Sequence, residues 1–189
     1  MSPPIRIVII GGAFAGTCAL VGVRERFAQQ LTTGDLQVLM VDREPFAGPG
    51  LAWDGSMTSE CQLSNLDVER LELSSDFRPT FGDWLIAEHP AQFADDPYLS
   101  VSFPPRWYFG EYLRAARSRL NDHPGIEVHD GTPAFGIRPL PNYRFRITLG
   151  PDLRTVEADL VLLCTGAPGN AGGTRFAHLA RAIGCKRRR

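Results

Sequence analysis

An α/β fold with a mostly parallel sheet is what this sequence predicts, and three stretches carry the prediction. Residues 5–10 (IRIVII) form a β-branched apolar run without helical spacing, the composition of a strand covered on both faces. That run enters the glycine-rich turn Gly11-Gly12-Ala13-Phe14-Ala15-Gly16 and then an apolar stretch with helical spacing. A second continuous apolar run, residues 160–164 (LVLLC), arrives late and ends on Thr165-Gly166.

Taken in order, the elements fill in between these stretches. Phe14, Cys18, Leu20, Val21, Val23 and Phe27 recur near helical spacing, with Arg24, Glu25, Arg26, Gln29 and Gln30 at polar positions, which predicts one helix from Phe14 to about Leu31. Residues 32–35 (TTGD) close it, and residues 36–41 (LQVLMV) read as a second strand ending on Asp42, completing a βαβ unit. Residues 45–79 are rich in Gly, Ser, Asp and Pro without sustained periodicity and are followed by a helical stretch at 80–89. They read as an inserted, ligand-facing connection. A better helix is predicted over 109–121, with Tyr112, Leu113, Ala116 and Leu120 on one side and Arg114, Arg117 and Arg119 elsewhere. Residues 127–129 suit a short strand. Residues 143–149 alternate cleanly and 155–158 weakly after the turn Gly150-Pro151-Asp152, an antiparallel hairpin before the late parallel strand. Residues 175–183 read as a short helix. The expected organisation is one nucleotide-binding domain over 1–175 with an insertion at about 45–125, then a short helix and basic tail over 176–189.

Composition narrows the function. A chain of 189 residues supports one sizeable core, or one domain with an insertion, and is short for a two-domain enzyme. A net charge of -1 without a long basic stripe argues against nucleic acid. Cys18, Cys61, Cys164 and Cys185 are widely separated, with neither CxxC nor a metal-type Cys/His pairing, so no metal site and no disulfide framework is expected, and a reducing cytoplasm fits best. The apolar run over 5–23 is interrupted by Arg6 and glycines and reads as a buried strand plus helix, so no membrane association is expected. The terminal Lys186-Arg187-Arg188-Arg189 reads as a solvated tail. There is no GxSxG, HExxH, P-loop or CxxxxC. His89, His123, His129 and His178 are scattered and are expected at the surface.

The glycine turn is where chemistry concentrates. Free N–H groups at the start of a helix and the positive end of its dipole form a phosphate cradle. Gly11 would allow the tight turn and Gly16 the close helix–strand packing, while Ala13 stands where the backbone must come nearest the phosphates and its β-carbon narrows the approach. The competing reading is a turn that serves packing alone. Asp42, at the end of the second strand, can accept from a ribose diol and would repel a 2′-phosphate, which suits the adenosine of NAD or FAD; a cap or surface acid is the alternative. Arg43 either stacks on an adenine or is solvated.

The ordered set IVIIGGAFAG, VDREPFAGPGLAW, QLSNLDVERLELSSDFRPTFGDWL, PPRWYFGEYL and DLVLLCTGAP resembles the bacterial FAD/NAD(P)-binding family that includes flavin-dependent urate-hydroxylase-like proteins. More distantly it resembles the flavin-dependent N-hydroxylating monooxygenases. The similarity spans residues 5 to about 168. It implies a Rossmann-like FAD-binding domain with a mostly parallel sheet, an inserted helical and loop segment and an antiparallel β excursion. It further implies FAD contacts from Gly11, Gly12, Ala13, Phe14, Ala15 and Gly16 at the pyrophosphate, and from Asp42 and Arg43 at the adenosine. Gly48, Gly50, Leu63, Ser64 and Asn65 would lie near the ribityl and isoalloxazine side, Thr165 and Gly166 would close over the cofactor, and Pro133 and Ala134 would offer backbone contacts to the adenine. Arg106 either faces the flavin or braces the inserted segment. Ala13, in place of the family's middle glycine, bears on affinity and not on the mode of binding. The chain ends soon after the Thr-Gly pair without a second glycine-rich βαβ unit, since residues 169–173 read as a loop. The expected function is therefore the FAD-binding domain of a flavin-dependent oxidoreductase or monooxygenase, short or truncated, with NAD(P)H as electron donor and an unassigned small-molecule substrate. The alternatives are a non-catalytic FAD/NAD-binding module or partner subunit, and a frameshift fragment. An open sheet edge and an uncovered flavin face leave room for a homo-oligomer or a completing partner chain.

Overall fold

Alternate residues of the first strand enter two different cores. In a computed structural model, which describes residues 3–44, 49–50, 52–55, 58 and 61–166, strand β1 (Ile5–Ile10) sends Ile7 and Ile9 to a helical side and Val8 and Ile10 to the opposite side. Strand β2 (Leu36–Val41) divides in the same way, Val38 and Met40 against Leu39 and Val41. Two apolar faces on one strand explain why neither run alternates with polar residues.

The parallel sheet is completed by β3 (Ile126–His129) and β7 (Leu160–Leu163) in the order β3-β2-β1-β7. Register is in phase across it: Ile7 lies opposite both Val38 and Leu160. At its lower end Arg6 N–H donates to the Asp159 carboxylate at 2.8 Å, Asp159 N–H returns a bond to Arg6 C=O at 2.8 Å, and the Arg6 guanidinium donates to Gln37 at 2.9 Å.

One face carries helices. Helix α1 (Phe14–Arg26) buries Gly16, Thr17, Leu20 and Val21. The single helix expected from 14 to 31 is instead two, because Phe27 leaves helical geometry at φ -128° and ψ 28° before α2 (Ala28–Thr33). Phe27 N–H still donates to Val23 C=O, and Leu31 N–H to Phe27 C=O, so hydrogen bonding passes across the kink. The segment between β2 and β3 contributes α3 (Phe81–Glu88), α4 (Pro90–Phe93), a 3₁₀ turn (Leu99–Val101) and α5 (Arg106–Asn121). A capping box between Thr80 and Asp83 starts α3. Helix α5 begins three residues before the expected position because Pro105, with its fixed φ, starts the first turn. The ring of Phe109 on α5 is packed within 5.7 Å of the rings of Phe14, Trp53, Phe81 and Tyr112, centroid to centroid.

The other face carries an antiparallel sheet of β4 (Ala134–Pro139), β5 (Phe145–Leu149) and β6 (Arg154–Ala158), in that order. The expected hairpin is β5–β6, and its Ile147, Leu149 and Ala158 are packed on Val8, Ile10, Leu39 and Val41. Strand β4 was not expected. It is an edge strand exposed along most of its length and interrupted by Gly136 and Pro139, so its sequence carries no alternating signal. Both the helix expected at 175–183 and the loop at 169–173 lie outside the described residues.

Candidate functional site

The order β3-β2-β1-β7 places β1 at the point where the chain turns from building outward in one direction to building in the other, the position beyond whose strand ends open α/β sheets bind ligands. The glycine turn occupies that point. Gly11 has φ +102°, and a Cβ on it would lie 2.4 Å from the Cys164 carbonyl oxygen at the end of β7. A Cβ on Gly16 would lie 1.9 Å from the Gly11 carbonyl oxygen. The tight turn and the close helix–strand approach expected of these two glycines are both present. Ala13 is the extended residue preceding α1, and no acidic side chain occupies the helix's first turn. The N–H groups of that turn have no partner within a helix, the kind of donor set an anion can use. The Ala13 methyl lies beside Gly50, where an added Cβ would come within 2.9 Å of it.

Asp42 is at the end of β2 as expected, but it is neither a helix cap nor a free surface acid. Its Oδ2 accepts from Gly12 N–H at 2.5 Å and its Oδ1 from Glu44 N–H at 2.8 Å. Each carboxylate oxygen retains a further lone pair, so a ribose hydroxyl can still donate to it. Arg43 is exposed beside Glu44 at 3.3 Å, the solvated arrangement. The turn after β3 wraps this corner, with Thr132 N–H donating to Asp42 C=O at 2.7 Å and Gly131 N–H to Glu44 C=O at 2.9 Å. The Pro133 carbonyl is taken up by Gly150 N–H at 2.9 Å, and Ala134 opens β4 opposite Leu149.

Sequence reasoning missed the residue at the centre of this corner. Arg117, expected on the polar side of α5, is 2% exposed. Its Nη1 donates to Gly12 C=O at 2.9 Å and its Nη2 to the Asp130 carboxylate. A Cβ on Gly12 would lie 2.5 Å from Nη1. Burial pushes the guanidinium below its ordinary value, opposed by the charges of Asp130 and Asp42; burial pushes Asp130 up, opposed by Arg117. The guanidinium stays charged at neutral pH. The signal was legible in principle: Arg117 lies four residues after Leu113 and three before Leu120, inside the apolar stripe of α5.

A second group sits on the inserted segment. Leu63 forms an isolated antiparallel bridge with Pro105, Ser64 N–H donates to Pro104 C=O at 2.9 Å, and the Ser64 hydroxyl donates to Leu66 C=O. Arg106 donates from Nε to Leu63 C=O at 3.1 Å and lies 5.6 Å from the Trp53 ring centroid, so it braces this segment. Leu63 and Asn65 are exposed. Trp53 in turn contacts Phe109, and Phe109 contacts Phe14, which ties the second group to the first. Thr165 and Gly166 follow β7 at the surface, with the Thr165 nitrogen 3.1 Å from where a Cβ on Gly11 would stand. Gly48 lies outside the described residues.

Two thiols stand near the turn. Burial, with Cys164 nearby, pushes the Cys18 thiol up to about 11, and burial raises Cys164 as well, so neither is a thiolate at neutral pH. His89, expected at the surface, is instead half-buried among Trp84, Phe93, Trp107 and Tyr108. Among the described residues no cluster of His, Cys, Asp and Glu could hold a metal ion, and no helix is long and apolar enough to cross a membrane. A hollow of about 310 Å³ on the antiparallel sheet, lined by Gly136, Ile137, Arg138, Arg146 and Thr148, contains no residue of the glycine turn.

Residues 8–168 match the family described as FAD-NAD(P)-binding. Comparison with curated proteins finds no match. Among solved structures, the ornithine hydroxylase of Pseudomonas aeruginosa in its reduced form is similar at 17% identity and TM-score 0.66, over 96% of this chain and 42% of that one. The ornithine N-hydroxylase of Kutzneria sp. 744, solved with reduced FAD and NADP+, is similar at 22% identity and TM-score 0.63, over 85% and 37%. A cyclohexanone monooxygenase mutant from Rhodococcus sp. Phi1 bound to NADP+ is similar at 19% identity and TM-score 0.55, over 89% and 29%. At these identities the likeness is one of fold. The chain spans less than half the length of each.

Proposed function

Because the chain belongs to the FAD-NAD(P)-binding family, we propose that it is the FAD-binding domain of a flavin-dependent oxidoreductase or monooxygenase. The observation that carries the proposal is the start of α1: N–H groups with no helical or side-chain partner among the described residues, at the carboxyl ends of β1 and β7, with the close turn made by Gly11 and Gly16 and the Asp42 carboxylate on the neighbouring strand end. In this reading the backbone of Ala13, Phe14, Ala15 and Gly16 holds the pyrophosphate, and Asp42 accepts from the adenosine ribose. Gly50, Leu63 and Asn65 line the approach to the flavin, and Thr165 and Gly166 border it. Bound FAD supplies the electron transfer for which the side chains have no counterpart, and NAD(P)H is the proposed donor. The protein's share is to bind, orient and shield. A reducing cytoplasm suits the thiols of Cys18 and Cys164, which form no disulfide. The substrate is a small molecule of unassigned class. A second copy or a partner chain along the β7 edge of the described sheet belongs to the same proposal.

A second reading, a module that holds FAD or NAD without turnover, is favoured by one observation: among the described residues there is a single strand–glycine turn–helix unit, which FAD and a nicotinamide nucleotide would have to share. The visible spectrum of purified protein incubated with FAD and then desalted separates the readings. A retained flavin band, bleached by NADPH and restored by air, is expected of the oxidoreductase domain. A retained band indifferent to NADPH favours the module, and failure to retain FAD or NAD overturns both.

A further inference from the structure

The peptide that opens the cradle is held from behind by a side chain 105 residues away in sequence. Gly12 C=O accepts from Arg117 Nη1 at 2.9 Å and from the Thr17 hydroxyl at 3.1 Å, and Gly12 N–H donates to Asp42 at 2.5 Å. Both polar groups of Gly12 are thus directed into the protein. The Gly12–Ala13 peptide is trans, so its N–H points opposite to its carbonyl. With the carbonyl drawn onto a buried guanidinium, the Ala13 N–H is turned to the opposite side, toward the start of the first turn of α1, which has no side-chain cap among the described residues.

We propose that Arg117 is a positioning residue of the dinucleotide site: by fixing the Gly12–Ala13 peptide it aims the Ala13 N–H at the pyrophosphate and thereby sets the affinity for it. The inference rests on the FAD-binding reading. Charge is not the means. Arg117 contributes one positive charge, while Asp130 contacts it and Asp42 lies on the same glycine, so the cluster offers an anion no net positive field. Geometry is what remains. The fork shape matters, because Nη1 and Nη2 serve Gly12 and Asp130 together, which a lysine ammonium cannot reproduce with the same planarity.

The test compares wild type with Arg117→Met, Arg117→Lys and Asp130→Asn. FAD binding is followed by flavin fluorescence, ADP and adenosine by their displacement of FAD, and folding by the urea midpoint. Arg117→Met is expected to weaken FAD and ADP about tenfold while adenosine, which lacks phosphate, changes less than about twofold. Arg117→Lys recovers part of the loss, to within about threefold of wild type, and Asp130→Asn, which loosens the guanidinium without touching Gly12, costs about threefold on ADP. Wild-type affinity in Arg117→Met, or a parallel fall for FAD, ADP and adenosine, overturns the proposal and leaves Arg117 a support of the fold. Should Arg117→Met not fold, unchanged ADP affinity in both Arg117→Lys and Asp130→Asn overturns it equally. Failure of the wild-type chain to take up FAD or ADP would overturn the FAD-binding reading and this inference with it, an outcome distinct from binding that the variants leave intact.

Discussion

At the scale of single residues, Asp42 holds two duties that a substitution separates from the rest of the fold. It braces Gly12 and, in the proposed site, receives the ribose, so Asp42→Ala removes a charged acceptor from both. Losing a hydrogen bond to a charged group costs about 1.5–3 kcal/mol, which predicts FAD binding weakened by roughly tenfold or more in a fluorescence titration. Unchanged affinity would place the ribose elsewhere. The site was legible in the sequence only where it is local. Gly11, Gly16 and Asp42 follow from a strand, a turn and the next strand end, all within one βαβ unit. Arg117 and Asp130 come from a distant helix and the loop after β3, and no spacing rule connects them to Gly12 before the chain is folded. An arginine on an amphipathic helix is ordinarily a solvated residue, and only its place inside the apolar stripe spoke against that here. Ala13 shows the reverse case: its place in the motif was plain in the sequence, while the glycine beside its methyl, Gly50, is brought there only by the fold.

At the scale of elements, what could be read was whatever buries apolar area. Strands β1 and β2 and the β5–β6 hairpin carry runs or alternations that their burial explains, whereas β4, exposed on both sides, carries none, and the apolar run of β7 leaves Leu160 and Leu163 exposed among the described residues. The kink at Phe27 was equally hidden, since apolar spacing continues across it. What sequence could not convey is which layer each face of β1 meets, because both faces are apolar. The hairpin is also held at its surface: Arg146 donates to Glu157 at 2.9 Å, and Arg144 reaches Glu157 at 3.1 Å and Asp159 at 3.0 Å. The hydrogen bond from Arg146, with the charges of both arginines, holds the Glu157 carboxyl below its ordinary value of 4.5. A carboxyl depressed in the folded state contributes stability above its unfolded value and loses it as pH falls through its folded value. Glu157→Gln should therefore lower the melting temperature modestly at pH 7, and the gap to wild type should close as pH falls below 4.5. A gap independent of pH would mean that these ion pairs do not couple to folding.

At the scale of the whole molecule, helices, parallel sheet and antiparallel sheet form three layers, and the proposed cofactor touches the first two. The connection Phe14–Phe109–Trp53–Arg106 links the glycine turn to the inserted segment, and α5 links both to Arg117. Ligand binding at the turn should accordingly stabilise the described unit as a whole. FAD at one hundred times its dissociation constant adds about 2.7 kcal/mol, and for a chain of this size each kcal/mol is worth about 2–4 °C. A rise of roughly 5–10 °C in a single melting transition by circular dichroism is expected; a separate, unmoved transition would show that the layers melt independently. The double-sided apolar strand at the centre has a cost of its own. In most sheets a slip of one residue is forbidden because it would put the apolar set into water, but a slip of β1 would only exchange what faces the two cores. Hydrophobicity cannot choose the alignment here. Polar pegs at the strand's foot, where Arg6 engages Asp159 and Gln37, share that choice with the close fit of Gly11 on Cys164, so a surface cluster remote from the cradle helps decide which residue arrives at its rim.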